Sequence, residues 1–240
     1  MLSTTLEKRP PLRTILFIEV NCLHCFNNSK KVCCIKCSHV QLLTVVEPEF
    51  LWSDFTFKTG NNPALIDHFK DIAKRILNIK FIKKNNLIID IGSNDGTLLK
   101  CFKELGYKKV LGVDPADEIA NEATKNGIPT INTFMNEITA KRILDIYGKA
   151  SLITANNVFA HVDDLSGMTN AIKTILDDDG IFVFEVSYLL DVVEKMLIGT
   201  IFHEHLCYHS IKAMNLFLKS KSMELIHVER GPEQGGSIVG

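Results

Sequence analysis

The 240-residue chain lacks the features that would assign it to a membrane or to a nucleic acid. Its longest apolar runs fall far short of the roughly 20 residues that a helix needs to cross a bilayer. Its formal net charge of −1 argues against a strongly basic surface for nucleic acid. The first residues, MLSTTLEKRPPLR, contain no apolar core of the signal-peptide type. Neither an internal repeat nor a low-complexity tract is present. The sequence therefore predicts a globular, cytoplasmic chain with neither a membrane nor a nucleic acid as its partner.

Cysteine, in contrast, is concentrated in one short segment. Five of the seven cysteines lie between positions 22 and 37. Without a secretory signal, this favours thiols or a metal over disulfides. Cys22-x-x-Cys25 and Cys34-x-x-Cys37 are two chelating pairs, and four thiolates suit a closed tetrahedral zinc site that serves folding. Cys33 could compete with Cys34 as a ligand, and a set of free thiols is the alternative interpretation. Two histidines could substitute as ligands, His24 and His39.

The most informative segment is LIIDIGSNDGTLL, residues 87–99. It reads as a strand, a glycine turn and a helix start, and such turns bind ligands at the carboxyl edge of a parallel sheet. The turn has neither the G-x-G-x-x-G of a dinucleotide site nor the lysine of a Walker loop after Gly96. Asp90, two positions before Gly92, would repel a pyrophosphate but suits a ligand with an ammonium group. Asp114 ends the next strand, 24 residues after Asp90, where a carboxylate can accept two ribose hydroxyls. The turn resembles motif I of class I S-adenosylmethionine (AdoMet) methyltransferases.

The rest of the chain alternates between helical and strand patterns. Asn62 and Pro63 predict a helix start, and apolar residues at helical spacing continue to about Phe81. The predicted strands are 87–91, 109–113, 128–132, 150–155, 180–185, 223–228 and from 236 onward. The predicted helices are near 96–106, 116–126, 136–147, 164–177, 188–197 and 211–220. This alternation predicts an α/β fold with a mostly parallel, doubly wound sheet.

Several segments together resemble one family, the nucleotide-sugar C-methyltransferases, which methylate C3 of TDP-4-keto-deoxysugars. They are CCIKCSHVQLLTVVEPEF, DIGSNDGTLL, GVDPA, ANNVFAHVDDL, FEVSYLLD, TIFHEHLCYHS and GGSIVG, and the resemblance extends from Cys22 to Gly240. It implies a small zinc module with an aromatic linker over residues 1–60. It also implies a Rossmann-like class I AdoMet domain over residues 61–240. The family's C-terminal nucleotide-sugar domain should begin where this chain ends.

The resemblance also implies a set of functional residues. Methylation of a carbon beside a ketone needs a base, and histidine suits that proton transfer near neutral pH. The resemblance places the base at His205, Glu204 beside it as an orienting group, and a further active-site histidine at His161. The implied cofactor residues are Asp90, Gly92, Asn94, Gly96, Asp114, Pro115, Asn156 and Asn157. The implied zinc ligands are Cys22, Cys25, Cys34 and Cys37.

This chain departs from the family at three aromatic positions. Phe55, Phe57 and Phe202 stand where family members carry tyrosine, whose hydroxyl could bind or polarise the sugar. Two alternatives to carbon methylation therefore stay open. One is an O-methyltransferase acting on a sugar or another small molecule. The other is an AdoMet-binding remnant or partner subunit with little activity. The sequence does not determine the oligomeric state.

Overall fold

The computed structural model describes residues 15–21 and 28–240, with side chains from residue 31 onward. The chain divides into two compact units. The first unit contains the residues up to 47 together with 157–165 and 184–240. The second unit contains residues 48–156 and 166–183.

The helices and strands follow one another along the chain much as the sequence predicts. The strands are β1 (Ile15–Asn21), β2 (Asn28–Cys34), β3 (Val40–Leu42), β4 (Leu87–Ile91), β5 (Val110–Asp114), β6 (Thr130–Asn132), β7 (Ala150–Asn156), β8 (Leu176–Ser187), β9 (Cys207–Tyr208), β10 (Glu229–Gly231) and β11 (Ser237–Val239). The α-helices are α1 (Pro48–Trp52), α2 (Pro63–Ile79), α3 (Thr97–Glu104), α4 (Asp117–Lys125), α5 (Glu137–Tyr147), α6 (Leu165–Ile175), α7 (Leu189–Glu194) and α8 (Ile211–Ser220). Single 3₁₀ turns lie at Thr59–Asn61, Ile198–Thr200 and Glu233–Gly235.

The second unit is built on a mostly parallel sheet. Strand β4 pairs in parallel with β5 and with β7, and β5 pairs in parallel with β6. All five residues of β4 and of β5 are buried, as expected for strands covered on both faces. Helix α2 begins as predicted, because the side chain of Asn62 accepts hydrogen bonds from two backbone N–H groups of the first turn and Pro63 follows it. The doubly wound α/β prediction is confirmed.

The first unit contains shorter, antiparallel pairings. Strands β1, β2, β3 and β9 form one sheet in that order. Strand β11 pairs antiparallel with the end of β8 and with β10. The strand predicted over 223–228 is wrong: the structure has β10 at Glu229–Gly231, because β11 offers pairing positions only there. Ile226, counted as part of that strand, is 70% exposed. In the parts of the chain that the structure describes, no helix combines the length and apolarity needed to cross a membrane.

Candidate functional site

The glycine turn after β4 has a left-handed backbone at three positions. Gly92, Asn94 and Gly96 have φ angles of 66°, 51° and 77°, a conformation that glycine adopts without strain and asparagine tolerates. The space is also restricted, because a Cβ atom on Gly96 would lie 2.8 Å from Cγ2 of Ile128. The turn leads directly into α3, whose N-cap residue, Gly96, has no side chain to cap the helix. The N-cap residue therefore provides no side chain to neutralise the partial positive charge at the start of α3.

Asp114, the last residue of β5, is held by the backbone of this turn. Its Oδ2 accepts a hydrogen bond from the backbone N–H of Asn94 (2.8 Å), and its Oδ1 accepts one from that of Ala116 (2.9 Å). Burial raises the pKa of Asp114, and these two N–H groups oppose the shift. A carboxylate oxygen accepts more than one hydrogen bond, so both oxygens keep capacity for two neighbouring hydroxyls. The carboxylate is thus fixed in orientation before any ligand binds.

Asp90 is a second buried carboxyl group in this region. The hydroxyl of Thr154 donates to its Oδ1 at 2.6 Å. Burial raises the pKa of Asp90 to about 7, the Thr154 bond opposes this, and the nearby Asp114 adds to it. A cation beside Asp90 would favour its ionised form, so the site suits a ligand with a positive charge.

A segment preceding α2 lies against the glycine turn, a feature that the sequence did not predict. The backbone N–H of Thr59 donates to Oδ1 of Asn94 (2.9 Å), and that of Gly60 donates to Oδ2 of Asp95 (2.9 Å). The side-chain amide of Asn94 donates in return to the carbonyl of Phe57 (2.8 Å). A Cβ atom on Gly60 would lie 2.5 Å from Oδ2 of Asp95, so a larger residue here would displace that carboxylate. Residues 57–60, called the strap below, thus add a wall to the turn.

The remaining predicted cofactor residues differ in their surroundings. Within the described part of the chain, both polar atoms of the Asn156 side-chain amide, at the end of β7, are buried without a hydrogen-bond partner. The Ser93 hydroxyl, in the glycine turn, is in the same condition. Such groups are costly to leave unsatisfied and are expected to find partners in a ligand or water. Pro115 follows Asp114, and its carbonyl accepts a bond from the side chain of Asn132. Asn157 belongs to the first unit, where its backbone N–H donates to the carbonyl of Glu185.

The donor set therefore fits AdoMet. The Asp114 carboxylate is preorganised for two hydroxyls, Asp90 favours a cation, and the glycine turn admits close approach of a ligand. Unsatisfied buried amide and hydroxyl groups at Asn156 and Ser93 are consistent with a polar ligand here.

The first unit brings together the predicted histidines His161 and His205, whose ring centroids are 5.0 Å apart. Nδ1 of His205 lies 2.7 Å from the carbonyl oxygen of Thr200, and Nδ1 of His161 lies 2.8 Å from that of Glu204. A carbonyl oxygen only accepts hydrogen bonds, so each Nδ1 must carry a proton. In the neutral ring of His205 this leaves the lone pair on Nε2, which is the arrangement that a general base needs.

Burial keeps both rings uncharged near neutral pH. It lowers the pKa of His161 to about 4, with a further contribution from His205. Burial also lowers the pKa of His205, the bond to Thr200 opposes the shift, and the ammonium of Lys31 adds to it. An imidazole that is already neutral can accept a proton without first losing one.

The main-chain carbonyl of Glu204 is the group that orients His161, while the orienting role predicted for Glu204 beside His205 stays a prediction. Its carboxylate is 4.0 Å from Nε2 of His203. The ring of Phe202 lies 4.5 Å from the ring of His205. An apolar ring thus lies beside this histidine.

The sequence did not single out His209, a buried histidine of the same unit. It is 2% exposed, its Nε2 lies 3.1 Å from the carbonyl of Phe159, and burial lowers its pKa to about 3. The signal was present in the segment HEHLCYHS, where His209 follows His205 by four residues.

The second cysteine pair forms a tight turn after β2. The backbone N–H of Ser38 donates to the carbonyl of Cys34 (2.7 Å), and that of Cys34 donates to the carbonyl of His39 (2.8 Å). Backbone N–H groups of Cys37 and Lys36 lower the pKa of the Cys34 thiol, while burial raises that of Cys37. A thiolate favoured by backbone N–H groups is suited to a metal. Cys22 and Cys25, the other predicted ligands, lie outside the described residues.

Known proteins similar to this chain are methyltransferases. A family model described as a methyltransferase domain matches residues 65–228. The chain is 29% identical over 208 residues to the C-methyltransferase NovU of Streptomyces niveus, which covers 87% of this chain and 49% of NovU. It is 33% identical over 105 residues to a ribosomal protein L11 methyltransferase of Clostridium perfringens, which covers 43% of this chain and 32% of that protein. The chain thus spans about half the length of NovU, and its match spans about a third of the ribosomal protein L11 methyltransferase.

Solved structures show the same fold. Magnesium protoporphyrin IX methyltransferase (ChlM) from Synechocystis PCC 6803, with bound S-adenosylhomocysteine, is similar at a TM-score of 0.54 and 18% identity, over 78% of this chain and 87% of ChlM. An AdoMet-dependent methyltransferase from Archaeoglobus fulgidus is similar at a TM-score of 0.55 and 16% identity, over 67% of this chain and 72% of that one. The chain therefore belongs to the family of methyltransferase domains, and its fold is the class I fold of AdoMet-dependent methyltransferases.

Proposed function

We propose that this methyltransferase transfers a methyl group to a carbon of a nucleotide-linked keto-deoxysugar, with His205 as the base. The observation that carries the proposal is the bond from Nδ1 of His205 to the carbonyl of Thr200, which leaves Nε2 with a lone pair. The similarity to NovU, a C-methyltransferase, supports transfer to carbon.

In this proposal the second unit binds the methyl donor. Asp114 accepts the two ribose hydroxyls, and Asp90, Gly92, Asn94 and Gly96 surround the methionine part. Pro115 and the side chains after Ile131 flank the adenine. The buried side-chain amide of Asn156 would form hydrogen bonds with the ligand. Asn157 is kept as a further candidate for cofactor binding. When bound, AdoMet supplies an electrophilic methyl group on its sulfonium.

The first unit would supply the acid–base chemistry. Nε2 of His205 would take the proton from the carbon beside the ketone. The electron pair of that C–H bond would stay on the substrate as an enolate, which is nucleophilic at the same carbon. His161, with its Nδ1 bonded to the Glu204 carbonyl, would hold the Glu204 backbone beside the base. Glu204 would orient the substrate or the base. A nucleotide sugar stays the predicted partner, and neither a nucleic acid nor a membrane is expected as one. A cytoplasmic location also stays a prediction.

The test is an incubation of the purified chain with [methyl-¹³C]AdoMet and dTDP-4-keto-6-deoxyglucose, followed by ¹³C NMR of the product. We expect a new methyl signal bonded to carbon. The same incubation with the variant His227→Gln serves as the control, because the exposed His227 ring bonds to Glu229, two residues further along the chain. A chain that binds AdoMet and leaves the sugar unmethylated would contradict the proposal and favour a partner subunit.

One observation favours O-methylation as a second candidate. The apolar Phe202 ring lies 4.5 Å from His205, where a tyrosine hydroxyl could have polarised a ketone. The same base could instead deprotonate a hydroxyl group of a sugar or of another small molecule. An oxygen-bonded methyl signal in the NMR experiment would identify this reaction.

We also propose that Cys22, Cys25, Cys34 and Cys37 hold a structural zinc ion in a module over residues 1–60, which precedes the methyltransferase domain at 61–240. The thiolate-favouring turn at Cys34 supports this. Elemental analysis should give one zinc per chain, and Cys34→Ser should lose it together with thermal stability. A metal-free wild type of unchanged stability would contradict the proposal.

A further inference from the structure

Lys31, on β2, is a lysine in the interior of the first unit. It is 4% exposed, and its ammonium lies 5.3 Å from the centroid of the Tyr208 ring, which is also 4% exposed. Lysine is almost never fully buried unless its charge is compensated, and the face of an aromatic ring attracts a cation at this distance. The fold therefore keeps a positive charge away from water beside Tyr208.

Tyr208 connects this charge to the proposed base. Its hydroxyl donates to the carbonyl of Thr200 at 3.4 Å, and the same carbonyl accepts the 2.7 Å bond from Nδ1 of His205. The rings of Tyr208 and His205 meet edge to face with centroids 6.4 Å apart. Lys31, Tyr208 and His205 are thus successive neighbours.

Among the side chains that the structure describes, Lys31 is the permanent charge that lowers the pKa of His205. The other titratable rings close to it are His161 and Tyr208, and Glu204 precedes it in the chain. Burial keeps His161 uncharged near neutral pH, since its pKa is about 4. The partly exposed Glu204 carboxylate lies by His203.

We propose that Lys31 is a positioning residue for His205: its buried ammonium, seated on Tyr208, keeps the His205 ring uncharged and ready to accept a proton. The inference rests on the proposed role of His205 as the base. Two positive charges in a poorly solvated interior repel each other, so the ammonium disfavours imidazolium. The neutral ring, with its proton on Nδ1, is the form that acts as a base.

The direction of the effect on pH dependence follows from this repulsion. Below its pKa, His205 is protonated and cannot take a proton from the substrate. The ammonium of Lys31 helps to lower that pKa, so its removal should raise the pKa and extend the inactive range to higher pH. Well above the pKa the ring is neutral with or without Lys31, and the rates should then be equal.

Proton removal can be measured without methyl transfer. The intact chain is incubated in D₂O with dTDP-4-keto-6-deoxyglucose and S-adenosylhomocysteine, and deuterium incorporation beside the ketone is followed by NMR from about pH 5.5 to about pH 8.5. Lys31→Met removes the charge and keeps the length of the side chain. Lys31→Arg keeps the charge. The control is Lys219→Met, which removes a charge from an exposed position at the end of α8.

For Lys31→Met we expect deuterium exchange to be about threefold slower than in the wild type near pH 6 and unchanged near pH 8. This is the size of effect expected when one unit charge is removed near His205 in the protein interior. Lys31→Arg should keep the wild-type profile, and Lys219→Met should match the wild type throughout. A merely structural role would lower the rate equally at every pH and would overturn the proposal. If Lys31→Met does not fold, Lys31→Gln, which is polar and uncharged, replaces it.

A second measurement separates this inference from the proposed function. The His205 ring is titrated by NMR in the wild type and in Lys31→Met, with His205→Gln identifying its signal. A higher pKa in Lys31→Met supports the inference even if the wild type exchanges no deuterium, a result that would reject only the sugar acceptor. Equal pKa values would overturn the role of Lys31 whatever the activity.

Discussion

The glycine turn of the second unit and the histidine cluster of the first unit are held in different ways. In the turn, backbone N–H groups of Asn94 and Ala116 fix the Asp114 carboxylate. These groups lie within 20 residues of Asp114 along the chain. In the cluster, His161 is oriented by the carbonyl of Glu204, 43 residues away, and Lys31 lies over Tyr208. The turn is thus held by nearby backbone groups, whereas the cluster also depends on contacts between segments that are far apart in the chain.

The two regions also differ in charge. The turn contains two buried carboxyl groups, Asp90 and Asp114, whose pKa values burial raises. The cluster contains rings that burial keeps neutral, beside one buried ammonium. The turn is thus suited to hold a cationic ligand, and the cluster is suited to accept a proton. Variants that change one function and leave the other intact test this division.

The largest effect is expected for His205→Gln. Loss of a general base should slow methyl transfer by about 10²- to 10⁴-fold. Binding of AdoMet should stay at the wild-type level, because His205 is not among the residues proposed to bind it. Single-turnover kinetics with dTDP-4-keto-6-deoxyglucose measures the rate. A variant with wild-type kinetics would exclude His205 as the base.

The next largest effect concerns Gly96→Ala. Its φ of 77° and the 2.8 Å approach of Ile128 should together lower the free energy of unfolding by about 3 kcal/mol. Gly127→Ala is a matched control, because its φ is 83° but a Cβ atom there would meet only Nζ of Lys103 at 3.8 Å. We expect that control to cost about 1 kcal/mol. Urea unfolding measures both, and equal losses would contradict the restricted space at Gly96.

A smaller, pH-dependent effect is expected from Asp90. Its pKa is about 7 in the folded chain against an ordinary 3.8, so the unfolded state releases its proton first as the pH rises. The stability that protonated Asp90 provides is full below its ordinary pKa and is lost as the pH approaches about 7. The loss should be up to about 1.4 kcal/mol per pH unit. Urea unfolding of wild type and Asp90→Asn across this window should show the extra slope in the wild type alone, and parallel curves would contradict it.

The smallest effects concern the strap. Asn94→Ala removes side-chain bonds to Phe57 and Thr59 and should lower the free energy of unfolding by about 1 kcal/mol. Lys58→Met removes only the exposed ion pair with Glu122 and should leave the urea midpoint unchanged. Equal effects of the two variants would show that charge, not backbone bonding, holds the strap.

The sequence predicted the second unit well because its signals are local. Strand β4 has the predicted limits, and Asp114 ends β5 as expected. The strand predicted over 223–228 failed because strand formation depends on a partner, and β11 pairs only from Glu229.

The features that the sequence did not predict have a common cause, which is contact between residues that are far apart in the chain. Lys31 and His209 acquire their roles only when distant segments fold together. The contact of the strap with Asn94 and Asp95 joins residues 35 positions apart and has no periodic pattern. Side-chain types and spacing alone do not encode such pairings.

The most direct test of the division between the two regions is calorimetric titration of AdoMet into the wild type, Asp114→Ala and His205→Gln. Asp114→Ala loses the carboxylate proposed to bind the ribose, whereas His205→Gln leaves the turn unchanged. We predict one binding site per chain in the wild type and in His205→Gln, and no measurable binding in Asp114→Ala. A folded wild-type chain that releases no heat with AdoMet, or an Asp114→Ala variant that binds normally, would contradict the account.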